Sequence, residues 1–426
     1  MAMNVKKGIF WTGIEKVLVN GVTFVQGVWL ARLLGPEDFG LSAMLGIFLT
    51  LGSVLADSGL STALVVFLPT GSRPEKVRGL EHRAWRWNMC VALSIYALLL
   101  CGAPAIASWY RQPILMPLMA VMAFNIILNA ASVVAVSRLT RSFSFGKLAG
   151  INGVCSITSA AVAILLAYAG WGVWAIAGMG LMAAVLKMLL VWGAARCKED
   201  GASGPSDDAE FRPMLGYGVK LMVSGAIHVF YLESYSLLIG KLWNPTWVGL
   251  FSRGQRWARL PGDIVNESVC RVALPQLANS RVREAWRIGW MNALLLWPGL
   301  IILFVWAEAI VSFALGPKWL DCVPYLKWIV IGQFFTPISN VALLVLRAKG
   351  RAAEILKTDM IKKPLSFAAL GIGASWGLPG LCGASIANDV IETIVDVIFI
   401  WRCHRVGRLE IDHAVVSARS EEKGDL

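Results

Sequence analysis

Charge is scarce in this chain of 426 residues: Asp, Glu, Lys and Arg make up 15% of it, against 57% hydrophobic residues. A soluble domain carries about a quarter charged and just under half apolar residues, so a water-soluble enzyme is excluded. Stretches long enough for a separate soluble domain are also missing. There is no GxGxxG and no P-loop, which removes the usual nucleotide-binding signatures and with them an ATP-driven pump. The eight cysteines (Cys90, Cys101, Cys155, Cys197, Cys270, Cys322, Cys382, Cys403) form neither a CxxC nor a His-linked metal spacing, and they read as small buried hydrophobes. The N-terminal apolar run follows Lys6 and Lys7 but has no small-residue cleavage site, and Glu15, Lys16, Asn20 and Gln26 interrupt it. It reads as an uncleaved first span. The net charge of +12 lies in short clusters between apolar segments, not on one basic face, so nucleic acid is not the partner.

What the chain has is apolar windows. One crossing needs roughly 20 mostly apolar residues, and such windows recur at 9–31, 40–67, 87–107, 114–136, 148–169, 171–194, 214–240, 247–272, 288–315, 323–346, 358–376 and 380–400. The fold class is therefore an all-α polytopic membrane protein with about twelve transmembrane helices. Basic residues near span ends mark the cytoplasmic side. With the N-terminus inside, twenty-five of them fall on inner segments and four outside (Arg32, Arg111, Lys241, Lys318). Both termini are thus cytoplasmic, in a multi-pass protein of the bacterial inner membrane. The eighth window holds Arg253, Arg256, Arg259, Asp263, Glu267 and Arg271, and resembles an interfacial amphipathic helix. Parity makes it a span, because otherwise the later basic clusters at 281–287 and 347–357 would be exported.

The twelve windows divide into two sets of six. Residues 30–41 match residues 239–250 at an offset of 209, pairing Arg32 with Lys241, Leu33 with Leu242, Pro36 with Pro245 and Gly40-Leu41 with Gly249-Leu250. Arg138 and Arg347 keep that offset, and Trp171 and Trp376 lie close to it. Six is even, so both halves enter from the same side as parallel repeats about an axis along the membrane normal. The expected organisation is a six-helix lobe at 1–197, an inter-lobe linker at 198–213, a second lobe at 214–402 and a cytoplasmic tail at 403–426. Such duplication belongs to transporters with a substrate path between lobes.

Residues 30–41 (LARLLGPEDFGL), residues 56–64 (ADSGLSTAL), Gly316-Pro317-Lys318-Trp319 and Ala348-Lys349-Gly350-Arg351 carry a family resemblance across essentially the whole chain. The sequence resembles the polysaccharide flippases of the multidrug/oligosaccharidyl-lipid/polysaccharide exporter superfamily. The resemblance implies an alternating-access carrier of undecaprenyl-pyrophosphate-linked oligosaccharide for exopolysaccharide, capsule or O-antigen synthesis, with membrane lipids around it. It implies a polymerase and a chain-length regulator as pathway partners, and no cofactor beyond proton or sodium coupling. The chain ends after twelve spans, whereas some members have fourteen. A cation-coupled drug exporter of the same superfamily is the alternative, and a membrane-embedded polymerase or glycosyltransferase is a more distant one.

Ionisable residues inside a bilayer are costly and mark function by default. Arg253, Arg256 and Arg259 are candidate ligands of the pyrophosphate, because guanidinium forks match phosphate oxygens in pairs. An ion-pair ladder pairing Arg259 with Asp263 and Glu267 with Arg271, or arginine pairs with Asp389, Glu392 and Asp396, is the structural alternative. Trp257, between the arginines, is the candidate saccharide contact; most other tryptophans fall at the interfacial belts. Asp57, Glu233 and Asp263 are candidate ion-coupling acids, with helix-packing hydrogen bonds as the plainer reading of Asp57 and Glu233. Glu15, Lys16, Asp359, Lys362 and Lys363 lie near inner span ends, where snorkelling suffices. His228 completes no metal site. The topology predicts that single cysteines at positions 241 and 283 label from opposite sides: Lys241→Cys reacts with an impermeant maleimide in intact spheroplasts, and Arg283→Cys only after permeabilisation.

Overall fold

Hydrocarbon offers backbone N–H and C=O groups no partner, so a crossing segment must satisfy them within itself, and helices do so. The computed structural model describes residues 2–57, 59–67, 74–142, 144–195, 208–278, 282–348 and 352–405. Its helices are α1 (Ala2–Leu33), α2 (Pro36–Asp57), α3 (Leu60–Phe67), α4 (Pro74–Tyr110), α5 (Leu115–Arg141), α6 (Phe145–Tyr168) and α7 (Val173–Ala195). They continue with α8 (Asp208–Leu242), α9 (Pro245–Ala278), α10 (Val282–Val305), α11 (Ala307–Ala314), α12 (Val323–Gln333), α13 (Thr336–Ala348), α14 (Ala352–Ser375) and α15 (Gly377–Arg405), with a 3-10 turn at Pro317–Cys322. No strand occurs among the described residues. Taking α2 with α3, α10 with α11 and α12 with α13 as single passages, twelve helical passages follow the twelve apolar windows. Helices α2, α4, α5, α6, α7 and α10 are apolar and long enough to cross a membrane by composition alone. The doubtful eighth passage is one helix of 34 residues, about 50 Å long at 1.5 Å per residue.

Three passages expected to be continuous are broken, the ninth of them at Trp306 between α10 and α11. The second stops at Asp57 and resumes at Leu60, because Gly59 takes a left-handed φ of 64° and lies so close to α8 that a Cβ there would meet the Gly218 carbonyl at 2.2 Å. Only glycine fits both demands. The tenth breaks at Phe334–Phe335, just before Pro337 in the first turn of α13, where a proline needs no donor of its own. The indole of Trp297 donates to the Phe334 carbonyl (3.2 Å) and the Thr393 hydroxyl to the Phe335 carbonyl (3.1 Å). Hydropathy windows average over such interruptions.

Packing divides the chain into two compact units, residues 1–249 with 314–318, and residues 250–313 with 319–426. By the repeat α8 opens the second half of the chain, yet it packs on α2 and α3 within the first unit. Of the expected linker, residues 198–207 lie outside the described residues, as do 406–426 of the tail; α8 has already begun at Asp208. Small side chains set the helix spacing in the first unit, as membrane interfaces favour: Ala163, Ala167 and Ala175 pack with Leu30 and Leu34, and Ala135 and Ala195 with Leu139, Leu148 and Val191.

At the outer end of the first unit the sequence repeat becomes a reciprocal contact. A Cβ on Gly40 would lie 1.6 Å from the Pro245 carbonyl oxygen, and one on Gly249 would lie 1.9 Å from that of Pro36. The two outer cations of the repeat act in the same crossed way. Arg32 donates through Nε to the Ala314 carbonyl at the end of α11 (3.0 Å), and Lys241 donates to the Trp109 carbonyl near the end of α4 (3.2 Å), lying 3.8 Å above its ring. Each satisfies a carbonyl that a helix C-terminus leaves open. At the inner end, buried Glu81 on α4 accepts from Arg138 (2.6 Å) and Arg141 (2.9 Å) of α5.

Forcing an extra methyl into a packed contact costs about 1–3 kcal/mol. Gly249→Ala is therefore expected to lower the thermal unfolding midpoint in detergent. Gly383→Ala, where an added Cβ meets nothing within 4 Å, should leave the midpoint unchanged or raise it.

Candidate functional site

Helix α9 owes its placement to small residues. Phe251, Gly254, Ala258 and Gly262 recur at three- and four-residue steps and are all buried; a Cβ on Gly254 would meet the Leu326 backbone nitrogen at 3.3 Å, and one on Gly262 the Gln333 side-chain oxygen at 3.5 Å. With that stripe against α12, the arginines fall to its edges. Arg253 turns onto the ring of fully buried Trp319, 5.8 Å from its centroid. Arg256 is exposed and Arg259 half-buried. From Pro245 these two lie roughly 17 and 21 Å along the helix, within a hydrocarbon core about 30 Å thick. Trp257 is 9% exposed and faces the packed side, while Ile264 is 59% exposed. Asp263 is exposed beside Arg256 and Arg259, whose charges act on it. Arg259 also acts on Asp389 of α15. The side chains of Glu267, Arg271 and His228 lie outside those described.

Behind α9 the second unit holds a chain of buried polar groups. Asp389 accepts from Gln333 of α12 (3.3 Å) and from its neighbour Asn388 (3.3 Å), whose own oxygen accepts from Ser366 of α14. One turn on, Thr393 bonds the Asp389 carbonyl, and Lys363 pairs with Glu392 (3.1 Å). Lys362, 4% exposed, pairs with Asp396 at 2.8 Å, and Asp396 also accepts from Ser339 of α13 at 2.6 Å. The expectation that Lys362 and Lys363 snorkel to the inner surface is therefore corrected. Each has an acid within reach on α15, and a paired ammonium has no need to reach water. Sequence spacing points to this pairing only in outline, through acids at 389, 392 and 396 that share a helix face at three- and four-residue steps.

The isolated acids of the first unit are less isolated than their spans suggest. Asp57 accepts from Ser61 across the break between α2 and α3 (2.7 Å), and Asn88, with its amide nitrogen turned inward, reaches the Ala56 and Asp57 carbonyls at 2.8 and 3.2 Å. The Asp57 Oδ1 atom has no donor among the described residues. Glu233 of α8 lies over Gly46 of α2, where a Cβ would come within 3.3 Å of Oε2. Glu15 does not snorkel either: it accepts from Asn152 of α6 at 2.6 Å and borders a polar cavity. Among the described residues no cluster of His, Cys, Asp and Glu could hold a metal ion.

A family model described as "Polysaccharide biosynthesis protein" matches residues 29–324. The chain belongs to this polysaccharide biosynthesis family. It is 23% identical over 410 residues to the succinoglycan biosynthesis transport protein ExoT of Rhizobium meliloti (strain 1021), covering 94% of this chain and 80% of that one. It is 21% identical over 398 residues to the lipopolysaccharide biosynthesis protein WzxC of Escherichia coli (strain K12), covering 91% and 79%. Among solved structures it superposes on the lipid II flippase MurJ in an inward closed conformation with a TM-score of 0.75 at 13% identity, covering 92% and 87% of the two chains. At that identity the match establishes the shared fold alone.

In this member of the polysaccharide biosynthesis family the Lys362–Asp396 pair should behave as one unit. Removing one partner of a buried pair costs about 3–5 kcal/mol, whereas replacing both by apolar groups is often neutral. Lys362→Met is thus expected to lower the unfolding midpoint sharply, and Lys362→Met/Asp396→Leu to recover most of the loss; a double variant no better than the single one would show the two charges to be independent.

Proposed function

We propose that the protein is an alternating-access flippase that carries undecaprenyl-pyrophosphate-linked oligosaccharide across the inner membrane for surface or secreted polysaccharide synthesis. The single observation that carries this reading is the pair Arg256 and Arg259 on α9, two guanidinium groups at mid-membrane depth on a helix whose packing turns them away from its buried stripe. A pyrophosphate is the part of such a substrate that most resists entering hydrocarbon, and guanidinium groups replace its water with paired, charge-assisted bonds. Family membership supports a polysaccharide precursor over an organic cation, for which exposed arginines are poor ligands. Arg253 supports the site through its packing on Trp319, while Trp257, packed on the other side of the helix, is proposed only as a neighbour of the arginines in sequence. Asp57, Glu233 and Asp263 are the acids proposed for proton or sodium coupling; Asp57 brings an unused carboxylate oxygen and Asp263 an exposed carboxylate beside the arginines.

The reading assigns translocation without a bond-making step. Outer connections between helices are Leu34–Gly35, Arg111–Ile114, Ala169–Gly172, Trp243–Asn244 and Trp376, and the longest, Leu315–Cys322, is largely a 3-10 turn. None offers room for the acceptor and catalytic groups of a polymerase. A polymerase and a chain-length regulator are the proposed downstream partners.

A hydrogen bond to a charged group contributes about 1.5–3 kcal/mol, or roughly ten- to hundredfold in affinity for each one lost. Arg256→Ala/Arg259→Ala is accordingly expected to accumulate lipid-linked precursor on the cytoplasmic face and abolish surface polysaccharide at unchanged protein level, with Arg256→Lys/Arg259→Lys partly active. Normal polysaccharide in the alanine pair would overturn the phosphate assignment.

A further inference from the structure

Four helices of the first unit enclose a cavity of about 460 Å³ that plays no part in the reading above. Polar side chains from all four helices are set into its wall: Glu15 and Asn20 from α1, Asn129 from α5, Asn152 and Ser156 from α6, and Lys187 from α7. Its mouth is open, since Asn20 and Asn129 are exposed. Lys187 is the sole charged residue of α7, eight positions from the inner helix end at Ala195, or roughly 12 Å along the axis. No hydrogen bond or ion pair ties its ammonium to any described side chain, and the half-buried group lines the cavity. An ammonium at that depth is costly unless something in the cavity answers it.

The other groups narrow what that something is. Glu15 spends Oε1 on the Asn152 amide (2.6 Å) and keeps Oε2 as an acceptor. Asn129 spends its amide nitrogen on the Asn125 carbonyl (2.9 Å) and keeps its side-chain oxygen. Asn20 and Ser156 supply further donors and acceptors. Lys16 also borders the cavity. A bare anion would answer Lys187 but leave the acceptors idle, and a neutral polyol would do the reverse. We propose that this cavity is a second binding site, specific for an anion that carries neighbouring hydroxyl groups, with Lys187 holding the anionic group and Glu15 and Asn129 accepting from the hydroxyls. Two sources have that chemistry: an acidic sugar residue such as a hexuronate, and the phosphoglycerol headgroup of an anionic lipid. The volume lies within the range of small-ligand pockets.

The test uses the full chain in nanodiscs of phosphatidylcholine, with binding of glucuronate, glycerol 3-phosphate and glucose followed by thermal unfolding and equilibrium dialysis. Glucuronate or glycerol 3-phosphate is expected to bind and to raise the unfolding midpoint where glucose at equal concentration does not. Lys187→Met should weaken that binding at least about tenfold, the loss of one charge-assisted contact, Lys187→Arg should largely keep it, and Glu15→Gln should weaken it less than Lys187→Met. Glucuronate alone as ligand assigns the site to a saccharide; glycerol 3-phosphate alone, with a matching rise in midpoint on doping the nanodiscs with phosphatidylglycerol, assigns it to a lipid headgroup. Lys187→Gln serves if the Met variant does not fold. The proposal falls if neither anion binds, or if both variants unfold like wild type without ligand and bind the anion equally well. Because the readout is binding, failure of the flippase reading would leave this result unaffected.

Discussion

The absence of water in the hydrocarbon core is the constraint on which everything else in this molecule rests. A helix satisfies its own backbone, but wherever a helix is interrupted the freed carbonyls must find side chains. At the break between α12 and α13 those side chains are Trp297 and Thr393, and at the break between α2 and α3 the Asn88 amide reaches two carbonyls while Ser61 reaches the Asp57 carboxylate. Polar residues inside the spans are therefore gathered where the backbone fails, and an acid such as Asp57 is first of all part of a joint. Whether it also exchanges an ion depends on the oxygen that the joint leaves unused.

The same constraint sorts the charges. Lys362 with Asp396 and Lys363 with Glu392 answer one another inside the second unit. Taking such charges out of water costs several kcal/mol per ion before their attraction offsets it, so a buried pair adds little stability for its expense; what it does is forbid packings that would separate the partners. Arg259 stands at the edge of this network, acting on Asp389 behind it and Asp263 beside it. Arg256, one turn earlier, is exposed and also acts on Asp263.

Much of this was legible in the chain. Apolar windows placed the twelve helical passages, α9 among them. The breaks were not legible, because a twenty-residue average passes over Gly59 and over Phe334–Phe335. Lys187 was missed for a related reason: one ammonium among some twenty apolar residues barely moves a window, yet in three dimensions it lines a cavity shared with residues of three other helices. Lys362 was seen but misread, since its partner lies 34 residues away on α15 and depth along a helix says nothing of what stands opposite. The packing of α8 with α2 instead of with its own repeat also has no local signature, being decided by contacts such as Gly59 on Gly218 that join remote glycines.

The repeat carries the last step of the argument. Two parallel halves related by an axis along the membrane normal can differ freely far from that axis, where each half meets only its own neighbours. Residues near it face their own counterparts, so a change in one half must suit both. Gly40 against the Pro245 carbonyl and Gly249 against the Pro36 carbonyl are such residues, and the crossed cations Arg32 and Lys241 stand just outside them. This is why the match between the halves is sharpest over residues 30–41 and 239–250 and fades along the helices. The same contacts account for basic residues on the outer face, where topology disfavours them: Arg32 and Lys241 close helix ends that would otherwise leave carbonyls open.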